Sequence, residues 1–165
     1  MSHLLTKRPR LAVAVGLAMA LLLALATAVV ATSLVRSGHA VKAVKVATDD
    51  ASVYTASTSW SDVPSMAVTM SVPANTHALF LITFSADNYC SSAISCQIRA
   101  LINGNEVAPG KVYFGTPDTN TNSMQWVSSP MPAGTYTIKI QYTPVFADST
   151  LSLFSRTLSV LRSVV

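Results

Sequence analysis

Thr135-Tyr136-Thr137-Ile138-Lys139-Ile140-Gln141-Tyr142 is the stretch that decides the fold of this chain. Every second residue is apolar. In an extended strand, Tyr136, Ile138, Ile140 and Tyr142 therefore share one face, and Thr135, Thr137, Lys139 and Gln141 share the other. A helix would scatter these residues around its axis. The segment is thus a strand with one face in a core and one face in solvent.

The same alternation recurs on both sides of this segment. Val68, Met70 and Val72 form one set, Phe80, Ile82 and Phe84 another, and Ile98, Ala100 and Ile102 a third. The last strand runs from Arg156 to about Arg162 and alternates through Leu158 and Val160. Turn residues separate the runs: Val72-Pro73-Ala74-Asn75, Asn103-Gly104-Asn105, Pro109-Gly110, Pro117-Asp118 and Pro130-Met131-Pro132-Ala133-Gly134. Asn and Gly tolerate positive φ, so Asn103-Gly104 reads as a tight turn. Composition agrees. After position 40, Ser and Thr supply 32 of 125 residues and Lys, Arg, Asp and Glu only 14, which suits sheet surfaces better than helix surfaces. The expected fold is all-β: an antiparallel, jelly-roll-like sandwich of about eight or nine strands in residues 52–165. There is no internal repeat and no low-complexity block.

The N-terminus has a different character. Lys7-Arg8-Pro9-Arg10 precedes a run from Leu11 to Val35 without a charged residue. As a helix its 25 residues would reach about 37 Å, beyond the roughly 30 Å of a bilayer core. The basic residues stay on the cytoplasmic side, which places everything after the run outside. Length favours an uncleaved signal anchor. The small-residue sites Ala26-Thr27-Ala28, Val29-Val30-Ala31 and Gly38-His39-Ala40 favour a cleaved signal peptide. Residues 1–35 are thus a basic region plus one hydrophobic helix, and residues 36–51 read as a linker. The domain is extracytoplasmic, either membrane-held or secreted.

Charge excludes one class of partner. The chain is formally +4, but Lys7, Arg8, Arg10 and Arg36 carry that excess. From residue 41 onward there are 7 basic and 7 acidic residues. A neutral domain without a basic patch is not a nucleic-acid binder.

The segments Trp60-Ser61-Asp62-Val63-Pro64, Phe84-Ser85-Ala86, the pair Cys90 and Cys96, residues 133–142 and Arg156-Thr157-Leu158-Ser159-Val160-Leu161 resemble a group of small exported actinobacterial proteins of unknown function. The likeness covers most of residues 52–162. A weaker likeness links the domain to jelly-roll modules of the C1q and tumour-necrosis-factor type, which implies trimers as one arrangement and a homo-oligomer more generally. These motifs are strand and turn signatures. They imply fold and compartment, and no activity or site residue.

Candidate sites are few. Cys90 and Cys96 should pair in an oxidising compartment, closing a loop of seven residues for roughly 2–2.5 kcal/mol. Asp118, Asn120 and Asn122 set oxygen side chains at alternate positions like the start of a calcium loop. Ser123 and Ser129 stand where such a loop needs Gly and Glu, so a polar connection fits better. Trp60 and Trp126 could stack on a sugar, although core packing is the commoner role. His77 is the only histidine beyond the linker, and no G-x-S-x-G is present. Asp62, Asp87, Glu106, Asp118 and Asp148 could hold a glycosidase carboxylate pair, but all except Asp87 adjoin turn-forming residues.

Three functions follow as expectations. The first is a non-enzymatic surface module without a cofactor, meeting a protein or glycan partner or supporting an assembly. The second is an extracellular glycan hydrolase or lyase. The third is a calcium-dependent lectin or adhesin.

Overall fold

The computed structural model describes residues 40–92 and 95–165. The basic segment and the charge-free run at residues 11–35 lie outside the described residues. Among the described residues there is no helix and there are ten strands. One antiparallel sheet, sheet A, orders β1 (Val41–Asp49), β10 (Leu151–Val164), β4 (Ala78–Cys90) and β8 (Asn120–Val127), with β2 (Val53–Thr55) also paired to β10. The other, sheet B, orders β3 (Ser61–Val72), β9 (Gly134–Pro144), β5 (Cys96–Ile102) and β6 (Asn105–Glu106), with β7 (Val112–Tyr113) also on β5. Principal strands alternate between the sheets along the chain, in the manner of a jelly roll.

The alternation read from sequence fixes which side chains face inward. Along β4, Ala78, Phe80, Ile82, Phe84, Ala86, Asn88 and Cys90 are all buried, and the residues between them are not. Tyr136, Ile138, Ile140 and Tyr142 of β9 oppose them from the second sheet. Phe80 meets Tyr136 edge-on with ring centroids 5.6 Å apart. Each large apolar side chain buried in this way contributes about 1.5–3 kcal/mol relative to exposure.

The turns are as chemical as the strands. Asn103 and Gly104 take φ of 48° and 85°, and Ile102 pairs with Asn105 across them. That is a two-residue hairpin turn needing positive φ at both positions. The bridge Cys90–Cys96 joins the end of β4 to the start of β5, across the two sheets, with Cα atoms 6.0 Å apart.

Two expectations need correction. The linker assigned to residues 36–51 holds strand β1, paired with β10 from Val41 to Asp49. Its charges, Lys42, Lys45 and Asp49, suggested a solvated segment. They belong instead to a sheet edge, where charges are a common guard against further pairing. The strand count is ten rather than eight or nine, because β2, β6 and β7 are two- or three-residue pieces too short to leave a period in the sequence.

A bulge in β10 explains an unexpected core residue. Pairing with β4 slips between Phe154 and Thr157, and Ser155 takes φ of 39°. The extra residue turns Arg156 inward, where its side chain is 0% exposed. The guanidinium donates to the carbonyls of Ala51 and Leu153, and its Nη2 lies 2.9 Å from Asp49 Oδ2. That last contact is an ion pair without hydrogen-bond alignment, and Nε has no partner among the described residues. Hydrogen bonds from the Ser65 hydroxyl and the Ala51 amide, helped by Arg156, hold Asp49 below the usual carboxylate range. The cluster fastens the end of β1 to the body of the sandwich.

Candidate functional site

Strand parity leaves a second set of side chains on the outer face of sheet B. Register decides which of them become neighbours. Arg99 of β5 stands opposite Gln141 of β9, and Gln141 stands opposite Asp62 of β3. In the next row, Glu106 of β6 faces Leu101, and Leu101 faces Lys139. One row to the other side, Tyr113 of β7 faces Gln97.

These positions are joined by hydrogen bonds running across the strands. Arg99 donates through Nη1 to Glu106 Oε2 at 3.1 Å, and through Nε and Nη2 to Gln141 Oε1 at 3.0 and 2.7 Å. Gln141 then donates through Nε2 to Asp62 Oδ1 at 2.7 Å. Lys139 Nζ donates to Asp62 Oδ2 at 2.7 Å. One relay thus runs across β3, β9, β5 and β6. The guanidinium also lies 4.2 Å from the centre of the Trp60 ring. Stacking of this kind is worth about 0.5–1 kcal/mol at an exposed site, and it fixes the plane of the fork.

The array carries no net charge, since Arg99 and Lys139 match Asp62 and Glu106. Lys139, and to a lesser degree Gln141, hold Asp62 below the usual carboxylate range. A general acid needs a shift in the opposite direction. Tyr113, 62% exposed, supplies an open aromatic ring beside Gln97. A cavity of about 250 Å³ adjoins Glu106, lined by Ile102, Val107, Val127 and Met131. A second cavity, of about 300 Å³, is lined by Tyr113, Phe114, Thr116, Asn122 and Met124. Neither exceeds the low end of the roughly 300–1,000 Å³ of typical small-molecule pockets, so the open face is the better candidate.

The residues singled out from sequence disperse. Trp126 is fully buried in the core and donates through Nε1 to the Gly110 carbonyl at 2.8 Å. Trp60 is half-buried, and one face of its ring is taken by Arg99. Asn122 donates to Asn88 Oδ1 at 3.1 Å, while Asn120 donates to Thr116 Oγ1 and to the Asp118 carbonyl. Asp118 thus lies just before β8, while Asn120 and Asn122 are part of that strand, a correction to the expected polar connection, and their side-chain amides are already engaged. Asp87 accepts from the Thr121 hydroxyl on the neighbouring strand. His77 and Asp148 are exposed, on the turns before β4 and β10. Of the five acids considered as a catalytic set, only Asp62 and Glu106 belong to one array, at opposite ends of it. Among the described residues no three His, Cys, Asp or Glu side chains are grouped to hold a metal.

Arg99, Gln141, Lys139 and Tyr113 were not recognisable as a group. The available signal was Lys139 and Gln141 at outward positions of β9, and Arg99 as the one charge in β5.

No protein-family model matches the chain, and no curated protein matches it in sequence. Among solved structures it is similar to the CBM36-1 domain of a multidomain xylanase from the hindgut metagenome of Trinervitermes trinervoides, with 9% identity, TM-score 0.39, and coverage of 70% of this chain and 96% of that one. It is similar to a family 35 carbohydrate-binding module from Clostridium thermocellum, with 14% identity, TM-score 0.40, and coverage of 72% and 97%. A structure of infectious bursal disease virus, Gx strain, has 14% identity and TM-score 0.33, covering 76% of this chain and 37% of that one.

Proposed function

We propose that this protein is a non-catalytic binding module, held outside the membrane by residues 11–35, whose ligand is a neutral glycan met by the outer face of sheet B. The observation that carries the reading is the relay Glu106–Arg99–Gln141–Asp62 laid across an exposed sheet. Sugar hydroxyls donate and accept at once. A flat array that alternates carboxylate acceptors with guanidinium, amide and ammonium donors offers both partners at every row. Pre-ordering by the cross-strand bonds lowers the entropy cost of holding long side chains still. The Tyr113 ring beside Gln97 adds an apolar surface for the C–H face of a sugar. Zero net charge favours neutral over acidic glycans.

Calorimetry against panels of neutral and acidic polysaccharides tests this. Neutral chains should bind, and Arg99→Ala and Tyr113→Ala should each weaken binding about tenfold or more, the scale of one lost 1.4 kcal/mol contact. Arg99→Lys keeps the charge but loses the fork, and should behave like Arg99→Ala. Unchanged binding in all three variants, or cleavage of the glycan, would overturn the reading. The mature N-terminus, measured by mass spectrometry on protein from its native host, tests the tether separately.

A further inference from the structure

The outer face of sheet A has a different chemistry. Val44 of β1 stands opposite Leu161 of β10, Leu161 opposite Leu81 of β4, and Leu81 opposite Val127 of β8. Their chain neighbours Val160, Ile82 and Trp126 are buried, so this row points outward. It crosses the whole sheet, and Val44 and Val127 at its ends are 55% and 48% exposed. The next row holds Ser159, Thr83 and Gln125 beside Val46, and the one after it only Ser and Thr. The aliphatic row thus lies at the end of the sheet where β1 begins, while the outward side chains at the far end are aromatic, Tyr54 and Tyr89 flanking Ser152 with Phe154 beside them.

That end is also where the chain enters from the N-terminus. The charge-free run stops at Val35, and only residues 36–40 intervene before β1. The first charges met are Arg36, Lys42 and Lys45, and no acid precedes Asp49. A contiguous exposed apolar row marks an interaction surface rather than an ordinary solvent face.

We infer that the outer face of sheet A seats on the lipid surface. The row Val44, Leu161, Leu81 and Val127 enters the headgroup boundary, and Lys42 at the start of β1 meets lipid phosphate. This rests on the tether proposed above. It adds an orientation: with sheet A down, the glycan-facing array of sheet B points away from the membrane.

The full-length protein is reconstituted into vesicles of phosphatidylcholine and phosphatidylglycerol carrying lipids brominated near the headgroup. Val127→Trp reports on the outer face of sheet A and Thr135→Trp on that of sheet B, with the fluorescence of Trp60 and Trp126 subtracted from the unsubstituted chain. Leu81→Trp serves as a second reporter should Val127→Trp fold poorly. The sheet A reporters should be quenched at least about twofold more than Thr135→Trp, because a docked face sits about 5–10 Å into the boundary. Adding Val44→Asp to Val127→Trp should remove the difference while the protein still floats with the vesicles. Flotation with equal or no quenching at the two faces overturns the docking and leaves the tether standing. Failure to float overturns both. A concentration-dependent dimer with unquenched Val127→Trp assigns the face to a second copy of the chain and overturns the lipid contact.

Discussion

The two outer faces of this sandwich follow the same rule and reach opposite chemistry. In both sheets, strand parity sends alternate residues outward, and register lines them up across the strands. On sheet B the line reads Glu106, Arg99, Gln141, Asp62, each bonded to the next. On sheet A it reads Val44, Leu161, Leu81, Val127. Apart from polar exceptions such as Asn88 and Arg156, the inward residues of both sheets are alike in kind, because the core asks chiefly for apolar volume. Outward residues escape that demand, so the difference between the faces is where function is written.

Breaking the shared interior should erase the comparison entirely. Phe84→Ala removes a fully buried ring that packs beside Phe114, with centroids 5.7 Å apart. The expected loss is about 3–5 kcal/mol of unfolding free energy, read from urea denaturation, and both faces should lose their binding together.

The bridge is the next largest effect. Cys90→Ser with Cys96→Ser should cost roughly 2–2.5 kcal/mol through the closed loop, visible as a lower urea midpoint and reproduced in the unsubstituted protein by reductant. The glycan face should survive in whatever fraction stays folded, because no member of its relay touches either cysteine.

A smaller perturbation acts on sheet B alone. Gly104 sits at φ of +85° in the β5–β6 turn, with open space around a new Cβ. Gly104→Ala should therefore cost about 1 kcal/mol from backbone strain only. It should also disturb Glu106, two residues on, and weaken glycan binding without altering lipid quenching at Leu81→Trp, which lies in the middle of sheet A.

The smallest effect sharpens the electrostatic side. Lys139→Met removes an exposed ion pair worth about 0.2–1 kcal/mol, an effect that salt should screen. Asp62 and Asp49 are both held below their ordinary pKa, so each stabilises the folded state when ionised. That contribution is complete above roughly pH 4, the unfolded value, and disappears as pH falls through the lowered folded values. Thermal melts between pH 7 and pH 2 should show the loss confined to the acid limb. Lys139→Met should flatten that limb, because it removes the main cause of the Asp62 shift.

How much of this was readable depends on distance along the chain. The Tyr136, Ile138, Ile140 and Tyr142 alternation announces its strand within eight residues, and the Asn103-Gly104 turn announces itself within two. Strand β1 did not, because Ala43 and Ala47 point inward while Val44 and Val46 point outward. That leaves apolar residues on both faces and no clean period. Arg156 was hidden for another reason: a one-residue bulge at Ser155 reverses parity, and nothing in the surrounding Ser and Thr marks it.

The sequence by itself determined an all-β sandwich, the inward residues of its regularly alternating strands, its tightest turn and its cysteine pair, since each depends on parity or spacing over a few residues. The tertiary structure alone decided that Arg99 would lie beside Gln141, 42 positions away, and Gln141 beside Asp62, 79 positions away. Parity is a local property of the extended chain. Register is set by how two sheets close on a common core, and both functional faces are products of register.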